Sequence, residues 1–147
     1  MTATKIGDYP VWIGDLEDAI KWEGEKICVL EVLPEREPED ALWIPILKTV
    51  WEQTKLENGE VFGHDYIKYA IQQQLDLVSH LISEHVRKNV PVLVHCGAGQ
   101  ERSPLAVMWW IWRTQGMSME KAYEYVETHR KETIKHYEWL NKTYSNK

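Results

Sequence analysis

The amino-acid sequence predicts an α/β fold, with a mostly parallel central sheet of four or five strands flanked by helices. Short apolar runs rich in β-branched residues, such as 26–33 and 90–94, are typical of buried strands. Longer segments carry apolar residues at three- and four-residue spacing, which indicates amphipathic helices. A loop with two glycines joins the 90–94 strand to a helix, as happens at the carboxyl edge of a parallel sheet.

The first half of the chain predicts strands over 9–13, 26–33 and 41–47, a short helix over 16–22 and a loop over 48–63. Pro45, within Ile44-Pro45-Ile46, places the third strand near a sheet edge or ends it there. The loop prediction for 48–63 follows from mixed charges and few apolar residues.

The second half predicts helices over 65–88, 104–115, 118–130 and 133–144. The segment 105–112 is apolar on every side, which predicts a central buried helix. Ser118 is a candidate N-cap for the helix that follows it. A length of 147 residues suits one domain over 1–147.

Composition excludes several classes of function. The net charge of −6 disfavours a nucleic-acid backbone or an anionic membrane as the main partner. The longest apolar run, 105–112, is far shorter than the ~20 residues of a membrane span. The six histidines match no metal-ligand spacing, so we expect no metal and no cofactor. Two cysteines, Cys28 and Cys96, form no disulfide framework, and we expect a reducing, cytoplasmic location.

The strand 90–94 leads into the segment His95-Cys96-Gly97-Ala98-Gly99-Gln100-Glu101-Arg102-Ser103-Pro104. Glycines allow successive backbone N–H groups to point inward, and the helix start adds the positive end of its dipole. The Arg102 guanidinium is a planar donor suited to phosphate oxygens. The same field favours a Cys96 thiolate over the thiol. The segment therefore predicts a phosphate site with a nucleophilic sulfur.

The His-Cys-x5-Arg-Ser pattern at 95–103 resembles the signature of the cysteine-dependent protein tyrosine phosphatases, and Pro104 resembles the dual-specificity branch. The opening Val11-Trp12-Ile13-Gly14-Asp15, with Asp18-Ala19, is similar to the start of that branch. The resemblance implies a single phosphatase-like domain over 1–147. It also implies a cysteinyl-phosphate intermediate and phosphorylated proteins or peptides as partners.

The chemistry of the segment and the resemblance assign roles to its residues. Cys96 attacks phosphorus, and Arg102 holds the phosphate oxygens together with the backbone amides of 97–101. The phosphate-binding residues are thus Gly97, Ala98, Gly99, Gln100, Glu101 and Arg102. The resemblance further implies that Ser103 bonds to the sulfur and that His95 orients the loop from beneath.

The general acid does not stand where the resemblance places it. The family carries an aspartate just beyond the Ile-Pro-Ile strand, where this chain has Leu47 and Lys48. Three carboxylic acids compete for the role: Glu52 in the 48–63 loop, Asp65, and Glu101, which immediately precedes the arginine. Asp65 is equally suited to be a helix N-cap. We favour Glu52.

Loop residues 97–101 contain no lysine, which disfavours phosphoinositides and RNA triphosphates and favours phosphotyrosine, with phosphoserine and phosphothreonine if the pocket is shallow. Two alternatives stay open. One is a phosphate-recognising binding module with little turnover, because the usual aspartate is missing. The other is a related chemistry, such as that of a rhodanese-like sulfurtransferase or an arsenate reductase. Cys28 is interpreted as a buried apolar filler, or as the partner of an oxidised Cys96 in a reversible disulfide.

Overall fold

Within the described residues, the central sheet has five strands, all parallel to their neighbours except the first. The structure, a computed structural model, describes residues 2–37, 40–55, 57–59 and 61–140, and for 51–55 and 61–66 it describes the backbone only. The predicted mostly parallel sheet is confirmed. The strands, in spatial order, are β1 (Thr4–Lys5), β2 (Val11–Gly14), β7 (Val92–His95), β3 (Glu25–Cys28) and β4 (Leu42–Trp43).

Strand β7 lies at the centre of the sheet, and its four residues are buried. It pairs in parallel with β2 on one side and β3 on the other, so that His95 lies opposite both Gly14 and Cys28. The carboxyl ends of the three strands therefore meet at one point. The chain segments that follow these ends build the candidate site.

The part of the chain that the structure describes has four α-helices around the sheet: α1 (Leu16–Lys21), α2 (Gln72–Lys88), α3 (Arg102–Thr114) and α4 (Met119–His129). Asp15 caps α1 in a capping box, accepting from the Asp18 N–H at 2.8 Å while the Asp18 carboxylate accepts from the Asp15 N–H at 2.9 Å. Ser118 caps α4 as predicted, accepting from the Lys121 N–H at 3.2 Å.

Helix α3 is the central buried helix that the sequence predicts, with every residue from 103 to 111 buried. Its indole N–H groups find partners on α2: Trp109 donates to Asp76 at 2.8 Å, and Trp110 donates to Ser83 at 3.0 Å. Buried indoles need such acceptors. Among the described residues, no helix combines the length and apolar character that a bilayer crossing requires.

The predicted loop over 48–63 is wrong. Strands β5 (Leu47–Lys55) and β6 (Val61–Ala70) form a long antiparallel hairpin here. Their β-branched and aromatic residues favour strands, and the Asn58-Gly59 pair between them is a strong hairpin signal. Gly59 has a φ of +88°, in the left-handed region. Hydrogen bonding between the strands outweighs the low apolar content on which the loop prediction rested.

The same hairpin overturns two element boundaries, and a third changes near the C-terminus. Helix α2 begins at Gln72 instead of 65, because residues up to Ala70 pair with β5. Asp65 is consequently a strand residue and not a helix N-cap. The predicted strand 41–47 divides into short β4 and the start of β5, with Pro45 between them. The predicted helix 133–144 is a 3₁₀ turn at Tyr137–Leu140, and its last part lies outside the described residues.

Candidate active site

In the loop between β7 and α3, three backbone carbonyl oxygens accept hydrogen bonds from residues outside the loop. The Gly97 oxygen accepts from the Leu16 N–H at 3.1 Å, that of Gly99 from the Arg130 Nε at 2.6 Å, and that of Gln100 from the Ile134 N–H at 2.7 Å. In a trans peptide the N–H points opposite to the carbonyl of the same plane. The amides that follow these carbonyls therefore face the inside of the loop, as an anion nest requires.

The backbone conformation and the space around it require glycine at only one of the two loop positions, 97 and 99. Gly99 has a φ of +69°, and a Cβ there would lie 2.6 Å from the Arg130 guanidinium and 2.7 Å from the Gly14 carbonyl oxygen. Gly97 lies outside the left-handed region, and a Cβ there would meet nothing within 4 Å. The prediction that both glycines supply conformational freedom is thus wrong for Gly97.

Cys96 lies at the floor of the loop and is only 2% exposed. Its Sγ is 3.2 Å from the Oγ of Ser103, which lies fully buried in the first turn of α3. The sulfur therefore lies beside the N-terminus of α3. The sequence-predicted pairing of Cys96 with Ser103 is present in the structure.

Arg102 begins α3, and its guanidinium is bound by Glu31, a residue that the sequence interpretation did not single out. The Nε donates to Oε1 and the Nη2 to Oε2, the latter at 3.0 Å. Burial raises the pKa of the Glu31 carboxyl, but the hydrogen bond and charge of Arg102 outweigh it and hold this pKa below its usual value. Glu31 therefore stays ionised and keeps Arg102 in place.

Arg130, just beyond α4, is the second residue that sequence reasoning missed. It is 1% exposed and reaches under the loop to donate to the carbonyl oxygens of Gly99 at 2.6 Å and Ile13 at 3.1 Å. It also donates to the Thr4 hydroxyl at 2.8 Å. One buried guanidinium thus ties the phosphate loop to β2 and β1. A lone arginine in a polar helix end gives no sequence signal for this role.

Glu101, one of the three candidate acids, is held by His136. The His136 Nε2 lies 2.8 Å from Glu101 Oε1, and its Nδ1 lies 2.8 Å from Glu138 Oε1. The imidazole stacks on Trp139 with 3.6 Å between ring centroids. Glu101 and Glu138 thus contact opposite nitrogens of one imidazole, beside the phosphate loop.

The other two candidate acids, Glu52 and Asp65, lie in the hairpin with their side chains outside the described residues. Their backbones are direct partners across β5 and β6. The sequence interpretation treated them as independent loop and helix positions, whereas the register brings them together. Leu47, where the family carries its aspartate, is buried at the start of β5.

His95 is fully buried beneath the loop, between the loop backbone and Glu37. Its Nε2 lies 2.8 Å from Glu37 Oε1, and its Nδ1 lies 3.5 Å from the Cys96 carbonyl oxygen. Cys28 lies beside them, and burial, with a smaller contribution from Glu37, raises the pKa of its thiol to about 12. Cys28, Glu37 and His95 are a group of potential metal ligands that the sequence did not reveal.

A cavity of about 390 Å³ opens next to the loop, lined by Ile67, Lys68, Glu138 and Trp139. Lys68 lies over the Trp139 ring at 5.6 Å, and the Arg102 guanidinium lies over it at 5.9 Å. The loop and the cavity therefore share Trp139 as a wall.

Comparisons with known proteins agree with this geometry. A family model described as "Dual specificity phosphatase, catalytic domain" matches residues 39–146. Dual specificity protein phosphatase 12 of Rattus norvegicus is 37% identical over 79 residues, which cover 48% of this chain and 23% of that protein. The chain therefore spans about a quarter of that relative's length.

Solved structures show the same fold. The crystal structure of DUSP15 matches with a TM-score of 0.68 and 18% identity, covering 95% of this chain and 83% of that chain. The human tyrosine phosphatase-like serine/threonine/tyrosine-interacting protein matches with a TM-score of 0.65 and 16% identity, covering 99% and 96% respectively. Because the family match over 39–146 contains the whole phosphate loop, the chain belongs to the dual specificity phosphatase family, a family of protein phosphatases.

Proposed function

We propose that the chain hydrolyses phosphotyrosine in proteins, and phosphoserine or phosphothreonine as far as the pocket depth allows, through a cysteinyl-phosphate intermediate. The observation that carries the proposal is the 3.2 Å contact between Cys96 Sγ and Ser103 Oγ, at the floor of a loop whose amides face inward. Arg102 follows at the start of α3. A nucleophile, an oxyanion cradle and a charge clamp are thus adjacent.

In the first step, the Cys96 thiolate forms a bond to phosphorus as the bond from phosphorus to the substrate oxygen breaks. The equatorial oxygens are held by the loop amides and by Arg102. Glu31 occupies the Nε–H and one Nη2–H, so the remaining guanidinium donors on the Nη1 side serve the phosphate.

The leaving oxygen takes a proton from a carboxylic acid, for which Glu52, Asp65 and Glu101 are the proposed donors. Glu101 directly precedes Arg102, and its Oε1 lies 2.8 Å from the His136 Nε2 beside the loop. Glu52 and Asp65, which are backbone partners across β5 and β6, are the alternative donors. Amide substitutions separate these donors, as argued in the Discussion.

In the second step, a water oxygen attacks phosphorus and the sulfur–phosphorus bond breaks. The carboxylate that gave its proton takes one from the water, and inorganic phosphate leaves. The Ser103 hydroxyl donates a hydrogen bond to the departing sulfur, which stabilises the thiolate. His95, buried beneath the loop, keeps the Cys96 backbone in position.

The cavity beside the loop supports an aromatic phosphoester as substrate. Trp139 lines this cavity, and Lys68 and Arg102 supply positive charge over its ring. The loop itself has no lysine between 97 and 101, where a polyanionic head group would need additional positive charge. Phosphotyrosine combines one phosphate with one aromatic ring.

Hydrolysis of p-nitrophenyl phosphate and of a phosphotyrosine peptide tests the proposal. We expect turnover by the parent chain, no turnover but retained peptide binding by Cys96→Ser, and loss of both by Arg102→Lys, because lysine cannot make a forked contact. Turnover that survives in Cys96→Ser overturns the nucleophile. Peptide binding by the parent without any turnover establishes the binding-module alternative instead.

A further inference from the structure

Three potential metal ligands converge beneath the phosphate loop, outside the proposed reaction. Cys28 ends β3, Glu37 belongs to the segment after it, and His95 ends β7. One sulfur, one carboxylate oxygen and one imidazole nitrogen from these residues lie within 4.8 Å of one another. Cys28 and His95 are fully buried, and the Glu37 side chain is 2% exposed.

The Glu37 carboxylate is incompletely satisfied. Its Oε1 lies 2.8 Å from the His95 Nε2, but its Oε2 is buried and has no hydrogen-bond partner within the described part of the chain. A buried carboxylate oxygen without a partner costs free energy, which a cation at this position would offset. This oxygen is a second observation, independent of the clustering, that points to a ligand.

We propose that Cys28, Glu37 and His95 form a binding site for a divalent metal ion, with zinc as the best fit. Sulfur, imidazole nitrogen and carboxylate oxygen are the donors that zinc takes in proteins. If Glu37 binds through both oxygens, the site offers four donor atoms, the number that structural zinc sites use.

The surroundings of His95 suit a ligand role. Its Nδ1 faces the Cys96 carbonyl oxygen at 3.5 Å, which leaves Nε2 directed towards Glu37. Metal-ligating histidines commonly donate their second ring nitrogen to a carbonyl in this way. The metal ion would take the place of the proton between His95 and Glu37 and of the thiol proton of Cys28.

A metal at this position would cross-link the segment after β3 to the end of β7. Glu31, which holds Arg102, lies in the same segment as Glu37. The site would thus stabilise the supports of the phosphate loop, and no step of phosphate transfer passes through the metal. Its existence does not depend on the catalytic proposal.

Cobalt(II) titration of the reduced, tag-free chain tests the site, with a phosphine reductant that leaves no competing thiol. We expect a thiolate-to-cobalt charge-transfer band in the near ultraviolet that saturates at one ion per chain and disappears when zinc is added. Cys28→Ser should remove the band, and the matched variant Cys96→Ser should retain it. Glu37→Gln should weaken binding at least ~10-fold.

A parent chain with no saturable band overturns the site. A band lost in Cys96→Ser but kept in Cys28→Ser also overturns it, since the metal would then be on the proposed nucleophile. Thermal unfolding gives a second measurement if Cys28→Ser folds poorly. Zinc should raise the Tm of the parent and of Cys96→Ser by more than that of Glu37→Gln, because the stabilisation falls as the native-state affinity falls. An unchanged parent Tm contradicts the proposal.

Discussion

The Glu31 carboxylate accepts two hydrogen bonds from the Arg102 guanidinium, one from Nε and one from Nη2. Both side chains are mostly buried, with 24% and 17% exposed respectively. The forked contact fixes the plane of the guanidinium and occupies two of its five N–H donors. Glu31 therefore orients Arg102 before a phosphate arrives, and the remaining donors stay available.

Replacing Glu31 by glutamine should lower kcat/KM for a phosphotyrosine peptide by about 10–10²-fold, because a misoriented clamp loses much of its benefit to the transition state. The matched control is Glu17→Gln, which removes the exposed ion pair with Arg36 at 2.6 Å and should leave kcat/KM unchanged. Equal activity of Glu31→Gln and the parent would show that Arg102 is oriented without Glu31.

The same pair makes stability depend on pH. Arg102 holds the Glu31 pKa below its usual value in the folded state, so the folded chain binds this proton less readily than the unfolded chain does. The contribution to stability is complete above the unfolded pKa of about 4.3 and is lost as the pH falls through the lower folded value. Denaturant titrations should show the parent more stable than Glu31→Gln at pH 7, with the difference shrinking below about pH 4. A pH-independent difference contradicts this linkage.

Ser103→Ala should slow the second chemical step more than the first. The lost hydrogen bond stabilises the departing thiolate, and bonds to charged groups contribute about 1.5–3 kcal/mol, or about 10–10²-fold in rate. Rapid mixing with p-nitrophenyl phosphate should then show a burst of nitrophenol followed by slow turnover. Ser83→Ala on α2, which removes the acceptor of the Trp110 indole, is the control and should show no new burst. A Ser103→Ala variant with parent kinetics would remove the serine from the mechanism.

The phosphate loop could be predicted from sequence because its features are local. A strand, a glycine turn, an arginine and a helix start follow one another within 92–114, and the structure reproduces that order. The hairpin over 47–70 was not predicted, since its polar strands lack the alternation of a half-buried sheet. Asn58-Gly59 was the available signal.

The supports of the loop come from distant parts of the chain. Glu31, Arg130 and His136 contact loop residues 71, 31 and 35 positions away. Each looks like an ordinary charged or polar surface residue in the sequence, and only the fold brings it to the loop. Of the three, Glu31 had a weak signal, because it follows a strand that ends at the same sheet edge as β7.

The two loop glycines offer a matched pair of substitutions. Gly99→Ala places a Cβ 2.6 Å from the Arg130 guanidinium and in the left-handed region, and should cost about 1–3 kcal/mol of unfolding free energy. It should also lower activity, because the loop backbone must shift. Gly97→Ala meets nothing within 4 Å and should change stability by less than about 0.5 kcal/mol. Urea unfolding measures both. Equal losses in the two variants would contradict the backbone assignment.

The general acid is identified by substituting Glu52, Asp65 and Glu101 singly by their amides. A carboxylic acid must be protonated to donate, so kcat falls as the pH rises through its pKa and gives the basic limb of the profile. In the variant that lacks the donor, the basic limb of the pH profile should be absent. Its kcat on a phosphotyrosine peptide should be about 10²–10⁴-fold lower than that of the parent. The loss should be smaller on p-nitrophenyl phosphate, whose leaving group needs less help from a proton.

His136→Gln distinguishes the two sources of the proton. If Glu101 is the donor, this variant should shift the basic limb, since it removes the ring nitrogen 2.8 Å from the Glu101 carboxylate. If the donor lies in the hairpin, His136→Gln should leave the pH of the basic limb unchanged. Glu52→Gln or Asp65→Asn should then abolish the limb. Three amide variants with unchanged profiles would exclude all three carboxyl groups as the general acid.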